Sequence, residues 1–284
     1  MSDIARVGVV GCGLMGSGIA EVFARAGLDV KVSEASGEAL EIGRTRLTGS
    51  LDTALRRGKL TETERDDALA RISFTTELAD FADRDLVIEA VPENLDLKLS
   101  IMKSLDQIVS PDTILASNTS AIPIAQLGAV VSNPERVVGL HFFSPVPAMK
   151  LVEIVRALDT SDETVAAATQ FAQRLGKHAI ETKDRSGFIV NFLLTPYLMA
   201  AVRMFEEGFA SREDIDAAMK LGAGHPMGPL TLCDFIGLDV LSAVCVSLYE
   251  EFKRPEYAPP PLMKRMIAAG RLGRKSGKGF YDYA

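Results

Sequence analysis

The stretch Arg6-Val7-Gly8-Val9-Val10-Gly11-Cys12-Gly13-Leu14-Met15-Gly16 decides the fold of this 284-residue chain. Its first five residues form a short apolar run that is typical of a buried strand. Apolar residues then recur at helical spacing from Met15 to Ala26. A glycine turn therefore joins a strand to a helix. In that setting Gly11 allows the tight turn, Gly13 lets a pyrophosphate approach the backbone, and Gly16 lets helix and strand pack closely.

This glycine turn predicts a dinucleotide site, because the helix N-terminus offers free N–H groups and a positive dipole to phosphates. A second strand pattern, Val30–Glu34, ends on an acidic residue 18 positions after Gly16. A carboxylate there hydrogen-bonds the ribose hydroxyls and repels a 2′-phosphate, so NAD is favoured over NADP. The alternative is a glycine loop without a ligand, and the order of strand, loop, helix and acid argues against it.

The rest of the chain indicates two domains. Further strand patterns occur at 85–90, 113–116, 136–141 and 151–155, a helix pattern covers 38–57, and a capping box starts at Thr61. Strands that alternate with helices predict an α/β fold with a Rossmann-type, doubly wound, mostly parallel sheet. From Phe188 onward the pattern is helical, over 188–207, 212–221 and 230–252. We therefore predict a Rossmann domain, residues 1–184, followed by an all-α domain, residues 185–284.

Composition excludes several other classes of protein. The hydrophobic share of 47% and the charged share of 24% are ordinary for a soluble globular protein. No apolar run is long enough for a membrane span, and the N-terminus has no basic leader segment. The three cysteines, Cys12, Cys233 and Cys245, form no CxxC motif, which is typical of a reducing cytoplasm. The net charge of −7 argues against nucleic-acid binding. We expect a cytoplasmic protein without a membrane segment or a metal site.

Six later segments add a family resemblance to the glycine turn and Glu34. They are Val87–Asn94, Ser117–Ser120, His141–Pro145, Asp184–Phe188, His225–Pro229 and Gly277–Tyr281. In their order and spacing the chain resembles the L-3-hydroxyacyl-CoA dehydrogenases, and within that family the stand-alone bacterial 3-hydroxybutyryl-CoA dehydrogenases. The resemblance implies reversible, NAD-dependent oxidation of an L-3-hydroxyacyl-CoA to a 3-ketoacyl-CoA, in fatty-acid or butanoate metabolism.

Such an oxidation needs a base for the hydroxyl proton, and the chain offers three histidines. His141 ends a strand pattern at the edge where ligands bind in open α/β sheets, and an imidazole exchanges protons near neutral pH. Glu153 lies in the apolar run 151–155, where a carboxylate needs a partner. Pairing the two would fix the imidazole tautomer and raise its basicity. The resemblance assigns the same pair. We expect His178 at the surface and His225 in a capping role.

The resemblance also implies the other ligand contacts. Ser120 would hydrogen-bond the substrate oxygen and His141, and Asn191 would bind substrate from across a cleft between the domains. Ser50 and Arg57 fall where the family contacts CoA, in a net basic stretch of an acidic chain. Cofactor contacts would come from Gly11, Gly13, Leu14, Met15, Gly16, Glu34, Glu93, Lys98, Asn118 and Lys275. The alternatives are a solvated tail lysine at Lys275, a solvated helix face at the basic stretch and a helix-terminal polar residue at Asn191.

One residue departs from the family pattern. Ser144 follows His-Phe-Phe, where the family usually has Asn, and a serine reaches less far with one polar atom in place of two. The departure puts the detailed hydrogen bonding beside His141 in question and leaves the pairing with Glu153 untouched.

Two other functions stay open at this point. One is an NAD-dependent dehydrogenase of a hydroxy acid without CoA, as in gulonate dehydrogenases of related sequence. The other is a non-catalytic NAD-binding protein, as in lens crystallins built on this fold, and the complete set of polar site residues argues against it. The apolar segments 189–204 and 238–248 exceed what a small helical domain buries alone. We therefore expect a homodimer through the helical domain.

Overall fold

A computed structural model describes residues 4–283 of the chain. It forms two compact units, one ending at Asp184 and the other beginning at Arg185. No single helix in the described residues is long and apolar enough to cross a membrane, and one pair of helices passes that test together only with a bend of 97° between them.

The first unit is an eight-stranded sheet between helices. Its strands are Arg6–Val10 (β1), Asp29–Ser33 (β2), Ile72–Thr75 (β3), Leu86–Glu89 (β4), Ile114–Ser117 (β5), Val137–Phe142 (β6), Leu151–Arg156 (β7) and His178–Lys183 (β8). Its helices are Leu14–Arg25 (α1), Gly37–Arg56 (α2), Glu62–Ala70 (α3), Leu95–Ile108 (α4), Ile124–Gly128 (α5) and Asp162–Arg174 (α6). The spatial order is β3-β2-β1-β4-β5-β6-β7-β8. Neighbouring strands run parallel except β6 and β7. The predicted Rossmann-type class is confirmed.

The sheet topology positions the site. The strand order reverses between β1 and β4, and open α/β sheets bind ligands outside the carboxyl ends of the strands at such a point. Helices cover both faces, so β4, β5 and β6 are buried along their whole length, which explains their mostly apolar sequences. The predicted capping box is present at the start of α3, where Thr61 and Glu64 exchange hydrogen bonds.

The second unit is helical, as predicted. Its helices are Val190–Glu206 (α7), Arg212–Gly222 (α8), Pro229–Ile236 (α9), Leu238–Phe252 (α10) and Pro261–Ala268 (α11). The single helix predicted over 230–252 is wrong. Gly237 has a φ of +98°, which a glycine adopts without strain, and it separates α9 from α10 at a bend of 97°.

Two buried aspartates tie the second unit together. Asp234 accepts hydrogen bonds from the backbone N–H groups of Phe280 and Tyr281, each at 2.9 Å. Asp216 accepts the N–H of Leu230 at 2.7 Å and the hydroxyl of Tyr281 at 3.0 Å. One of the segments that carry the family resemblance, 277–281, therefore meets both carboxylates, and it serves the internal packing of this unit.

Candidate active site

The glycine turn has the geometry that an anion needs. Gly11 has a φ of +95°, and a Cβ on Gly16 would lie 1.8 Å from the Gly11 carbonyl oxygen, so only glycine fits the third position. A Cβ on Gly13 would meet nothing within 4 Å, so the backbone there is open to an incoming group. No side chain caps the N-terminus of α1, which begins at Leu14. Its first N–H groups therefore suit a pyrophosphate.

Glu34 lies directly beside this turn. Its Oε1 accepts a hydrogen bond of 2.6 Å from the backbone N–H of Cys12, and Arg46 donates to the carbonyl of Cys12 at 2.9 Å. The carboxylate thus follows the end of β2 and borders the position expected for a ribose. Burial, with a smaller contribution from Glu34, raises the pKa of the Cys12 thiol to about 11. The thiol stays neutral near pH 7 and packs in the core as an apolar group.

The sheet register brings His141 and Glu153 together. They are directly opposed residues of the antiparallel pair β6–β7, and side chains at such positions point to the same face. The His141 Nδ1 lies 2.7 Å from the Glu153 Oε2, and both side chains are buried. Because a carboxylate only accepts hydrogen bonds, Nδ1 of the neutral ring carries the hydrogen, and Nε2 offers a lone pair.

Ser120 faces that lone pair from the loop after β5. Its Oγ lies 3.3 Å from the His141 Nε2. The loop is held by Glu93, whose Oε1 accepts the Thr119 hydroxyl at 2.5 Å and the Ser120 N–H at 2.9 Å. Ser120, His141 and Glu153 therefore form one hydrogen-bonded row at the carboxyl ends of β5 and β6. Such a row can accept a proton from a hydroxyl group and return it.

Asn118 and Lys98 contact the protein where the sequence predicts contacts to the cofactor. The Asn118 Oδ1 accepts the N–H of Phe142 at 2.9 Å and so ties β5 to β6 beside His141. Lys98 is 1% exposed, and its Nζ lies 2.8 Å from each carboxylate oxygen of Glu89. It also lies 3.2 Å from the Glu93 Oε2. In this structure the lysine is a buried partner of two carboxylates.

Sequence reasoning gives Glu89 no role, although the segment that contains it was singled out. The signal was present: Glu89 ends the buried strand β4, and a carboxylate in such a run needs a partner. The same argument identified Glu153.

The other predicted contacts lie elsewhere. Ser50 lies on α2, and the exposed Arg57 caps the C-terminus of that helix. Asn191 is the second residue of α7, and Lys275 lies 2.6 Å from the carboxylate of Asp239. Both belong to the second unit, and the ligand roles of all four residues stay predictions.

The two remaining histidines have other surroundings. His178 is exposed at the start of β8, as predicted. His225 closes the end of α8 through its backbone N–H, which donates to the Met219 carbonyl at 3.2 Å. Its ring Nδ1 lies 3.1 Å from the Tyr197 hydroxyl.

Comparison with known families identifies the family of this chain. The profile described as "3-hydroxyacyl-CoA dehydrogenase, NAD binding domain" matches residues 6–185. The profile described as "3-hydroxyacyl-CoA dehydrogenase, C-terminal domain" matches residues 187–283. This chain belongs to the 3-hydroxyacyl-CoA dehydrogenase family. It is an NAD-dependent oxidoreductase of that family.

Relatives of this dehydrogenase match over the whole chain. A 3-hydroxybutyryl-CoA dehydrogenase of Mycobacterium tuberculosis is 54% identical, with 100% of both chains covered. A probable 3-hydroxybutyryl-CoA dehydrogenase of Bacillus subtilis is 46% identical, covering 99% of this chain and 98% of the relative. Among solved structures, M. tuberculosis FadB2 matches with a TM-score of 0.98 at 54% identity, covering 100% of both chains. The (S)-3-hydroxybutyryl-CoA dehydrogenase PaaH1 of Ralstonia eutropha has a TM-score of 0.93 at 48% identity, covering 99% of both.

The residues of this dehydrogenase fit NAD. The open backbone at Gly13 and the uncapped start of α1 suit the pyrophosphate, and Glu34 suits a ribose without a 2′-phosphate.

Proposed function

We propose that this enzyme oxidises L-3-hydroxybutyryl-CoA to acetoacetyl-CoA with NAD, and that the reaction is reversible. The substrate follows the relatives, since 3-hydroxybutyryl-CoA dehydrogenases are 41–54% identical to this chain. The observation that carries the proposal is the row of Ser120, His141 and Glu153 at the carboxyl ends of β5 and β6. A place in fatty-acid or butanoate metabolism follows from that substrate.

In this proposal each residue of the row has one task. The lone pair on His141 Nε2 takes the proton of the substrate hydroxyl as hydride leaves C3, and bound NAD supplies the hydride acceptor. Glu153 accepts the hydrogen on Nδ1 and stabilises the imidazolium that forms. The Ser120 hydroxyl hydrogen-bonds the reacting oxygen and keeps it within reach of His141. In the reverse direction His141 returns the proton to the carbonyl oxygen.

The remaining contacts belong to the same proposal. Asn191 binds the substrate, Ser50 and Arg57 bind CoA, and Lys275 contacts the cofactor. Arg57 carries a positive charge that suits the phosphates of CoA. A cytoplasmic location agrees with the cysteine usage and with the metabolites involved.

A direct assay tests the proposed function. The purified protein is mixed with acetoacetyl-CoA and NADH, and NADH absorbance is followed at neutral pH. We expect turnover well above background. An absence of NADH oxidation contradicts the proposed substrate, and NADH binding without turnover of any hydroxy compound favours a non-catalytic protein.

Replacing the proposed base provides the first prediction. The variant His141→Ala should lose turnover by about 10²- to 10⁴-fold, the usual contribution of a general base. It should bind NADH as the unaltered enzyme does in a fluorescence titration, because the glycine turn and Glu34 are unchanged. His178→Ala, at an exposed histidine, is the matched control. Normal turnover of His141→Ala contradicts the assignment.

A substrate without CoA is the second candidate function, and two structural relatives favour it. A diketoreductase has a TM-score of 0.87 at 30% identity, and a dehydrogenase of a pyridine carboxylic acid has a TM-score of 0.79 at 32% identity. Comparing kcat/KM for 3-hydroxybutyrate and 3-hydroxybutyryl-CoA separates the two. We expect a strong preference for the CoA ester.

The enzyme is also proposed to be a homodimer through its helical unit. The exposed side chains of α10 include Val240, Ala243 and Val246, which recur every three residues along one side of the helix. A second copy of the chain covers this apolar stripe in the proposed dimer.

A further inference from the structure

Glu89 is a wholly buried carboxylate with a defined set of donors. It ends β4, and its two oxygens each lie 2.8 Å from the Nζ of Lys98. The Ser117 hydroxyl also donates to the Glu89 Oε1. Both partners are buried as well. An ion pair in the core needs such complete pairing, since each charge alone would be costly to bury.

The ammonium group of Lys98 connects Glu89 to a second carboxylate. Its Nζ lies 3.2 Å from the Glu93 Oε2 and 3.3 Å from the carbonyl of Val91. An ammonium has three N–H donors, and Glu89, Glu93 and Val91 supply acceptors for all of them. Lys98 is therefore held in place by Glu89, and it in turn fixes the orientation of Glu93.

Two routes lead from Glu89 to the loop that contains Ser120. Along the first, Lys98 holds one oxygen of Glu93, and the other oxygen accepts the N–H groups of Ser120 at 2.9 Å and Ala121 at 3.2 Å. Along the second, the Ser117 Oγ bonded to Glu89 accepts the N–H of Thr119 at 3.1 Å. Both routes end within one residue of Ser120.

We propose that Glu89 is a positioning residue, which holds the Ser120 hydroxyl against the Nε2 of His141 through Lys98, Glu93 and Ser117. The inference rests on the proposed function of Ser120 and His141. Glu89 itself touches neither of them, and it acts through the loop. Loss of its charge leaves the buried ammonium of Lys98 underpaired, so Lys98 and Glu93 shift and Ser120 moves from its 3.3 Å contact with His141.

The variant Glu89→Gln tests this inference, because it keeps the shape of the side chain and removes its charge. We expect kcat for acetoacetyl-CoA reduction to fall about tenfold. The matched control is Glu21→Gln on α1. Glu21 is 1% exposed and forms an ion pair of 3.1 Å with Arg25, so its loss also costs stability, but it belongs to neither route. Glu21→Gln should keep the kcat of the unaltered enzyme.

A double-mutant cycle with Ser120→Ala separates positioning from general damage. If Glu89 acts through the Ser120 hydroxyl, Glu89→Gln should lower kcat by less than twofold in the Ser120→Ala background. An equal loss in both backgrounds overturns the proposal. Should Glu89→Gln fail to fold, Glu89→Gln with Lys98→Met removes both buried charges together, which proteins tolerate better than half a pair. That double variant should show the same tenfold loss, and a normal kcat overturns the proposal.

A spectroscopic readout keeps the inference independent of turnover. The chain has three histidines, so the imidazole nitrogens of His141 can be followed by ¹⁵N NMR and assigned through His141→Ala. Glu89→Gln and Ser120→Ala should move the Nε2 signal, and Glu21→Gln should leave it in place. If the unaltered enzyme does not oxidise NADH with acetoacetyl-CoA, the proposed function fails and this measurement still tests the positioning. An unchanged Nε2 signal in Glu89→Gln overturns it.

Discussion

Three glutamates of the first unit show how the partner of a carboxylate determines its task. Glu34 accepts a backbone N–H at the glycine turn, Glu89 pairs with a lysine, and Glu153 pairs with an imidazole. The first borders the position proposed for the ribose, the second neutralises a buried charge, and the third fixes a tautomer. Residue type alone does not separate these tasks, because each depends on which donor the fold brings within 3 Å.

Sequence reasoning at this scale identified two of the three. Glu34 follows a strand at a fixed distance from the turn, and Glu153 interrupts an apolar run, so both give local signals. Glu89 also lies in an apolar run, but its partner Lys98 lies nine residues later, on a helix. Whether that lysine points inward depends on the packing of α4, which the sequence pattern does not contain.

The cofactor preference of Glu34 provides a prediction. Its carboxylate repels a 2′-phosphate, and Glu34→Gln removes that repulsion while keeping an acceptor for the Cys12 N–H. We expect the ratio of kcat/KM for NADPH to kcat/KM for NADH to rise about tenfold, which corresponds to about 1.4 kcal/mol of repulsion. The measurement is steady-state kinetics with acetoacetyl-CoA and each cofactor. Glu62→Gln, an exposed acid at the start of α3, is the control for net charge. An unchanged ratio contradicts the role assigned to Glu34.

At the scale of elements, the antiparallel pair β6–β7 builds the proposed catalytic row, because its register sets His141 opposite Glu153. The need of a carboxylate in an apolar run for a partner predicts the pairing, but the register depends on how the loop between the strands folds. The edge strands β3 and β8 were not predicted. Both are partly exposed and mix polar with apolar residues, so they lack the continuous apolar run that marks the central strands. The break at Gly237 was missed because α9 and α10 are both apolar.

Asp106, near the end of α4, forms hydrogen bonds at the end of the sheet opposite the proposed active site. It accepts hydrogen bonds from the Arg136 guanidinium at 2.6 Å and from the backbone N–H of Ser132 at 2.9 Å. Partial burial raises the pKa of Asp106, but the bonds from Ser132 and Arg136 outweigh that effect, and the pKa lies below its ordinary value. Arg136 is buried just before β6, so the pair links α4 to that strand.

The depressed pKa of Asp106 gives a prediction about stability. A carboxylate with a lower pKa in the folded state stabilises the fold above its ordinary pKa, and the contribution is lost as pH falls through the folded value. Asp106→Asn should therefore lower the free energy of unfolding by about 2 kcal/mol at pH 7 and by less near pH 3. Urea denaturation at both pH values measures the difference. Asp112→Asn, at an exposed acid, should change it little at either pH. An equal loss for Asp106→Asn at pH 7 and pH 3 contradicts the linkage.

At the scale of the whole molecule, the net charge of −7 indicates only that the chain must bind anionic ligands through local features. The fold class and the division into a sheet unit and a helical unit follow from the change of pattern near residue 185, because strand and helix periodicities differ along the whole length of each part. Oligomeric state depends on exposed side chains, and only the structure shows which apolar side chains are exposed. Val240, Ala243 and Val246 are apolar and exposed on α10 in the single chain.

The proposed homodimer is therefore tested at that stripe. We expect the unaltered enzyme to sediment as a dimer at micromolar concentration, and Val246→Glu to shift it toward the monomer, because a charge in an apolar interface loses hydration without gaining a partner. Leu158→Glu is the matched control, since Leu158 is 91% exposed and lies in the sheet unit. It introduces the same charge at an exposed leucine and should leave the sedimentation coefficient unchanged. A monomeric unaltered enzyme contradicts the dimer, and a Val246→Glu variant that stays dimeric places its interface on another face of the helical unit.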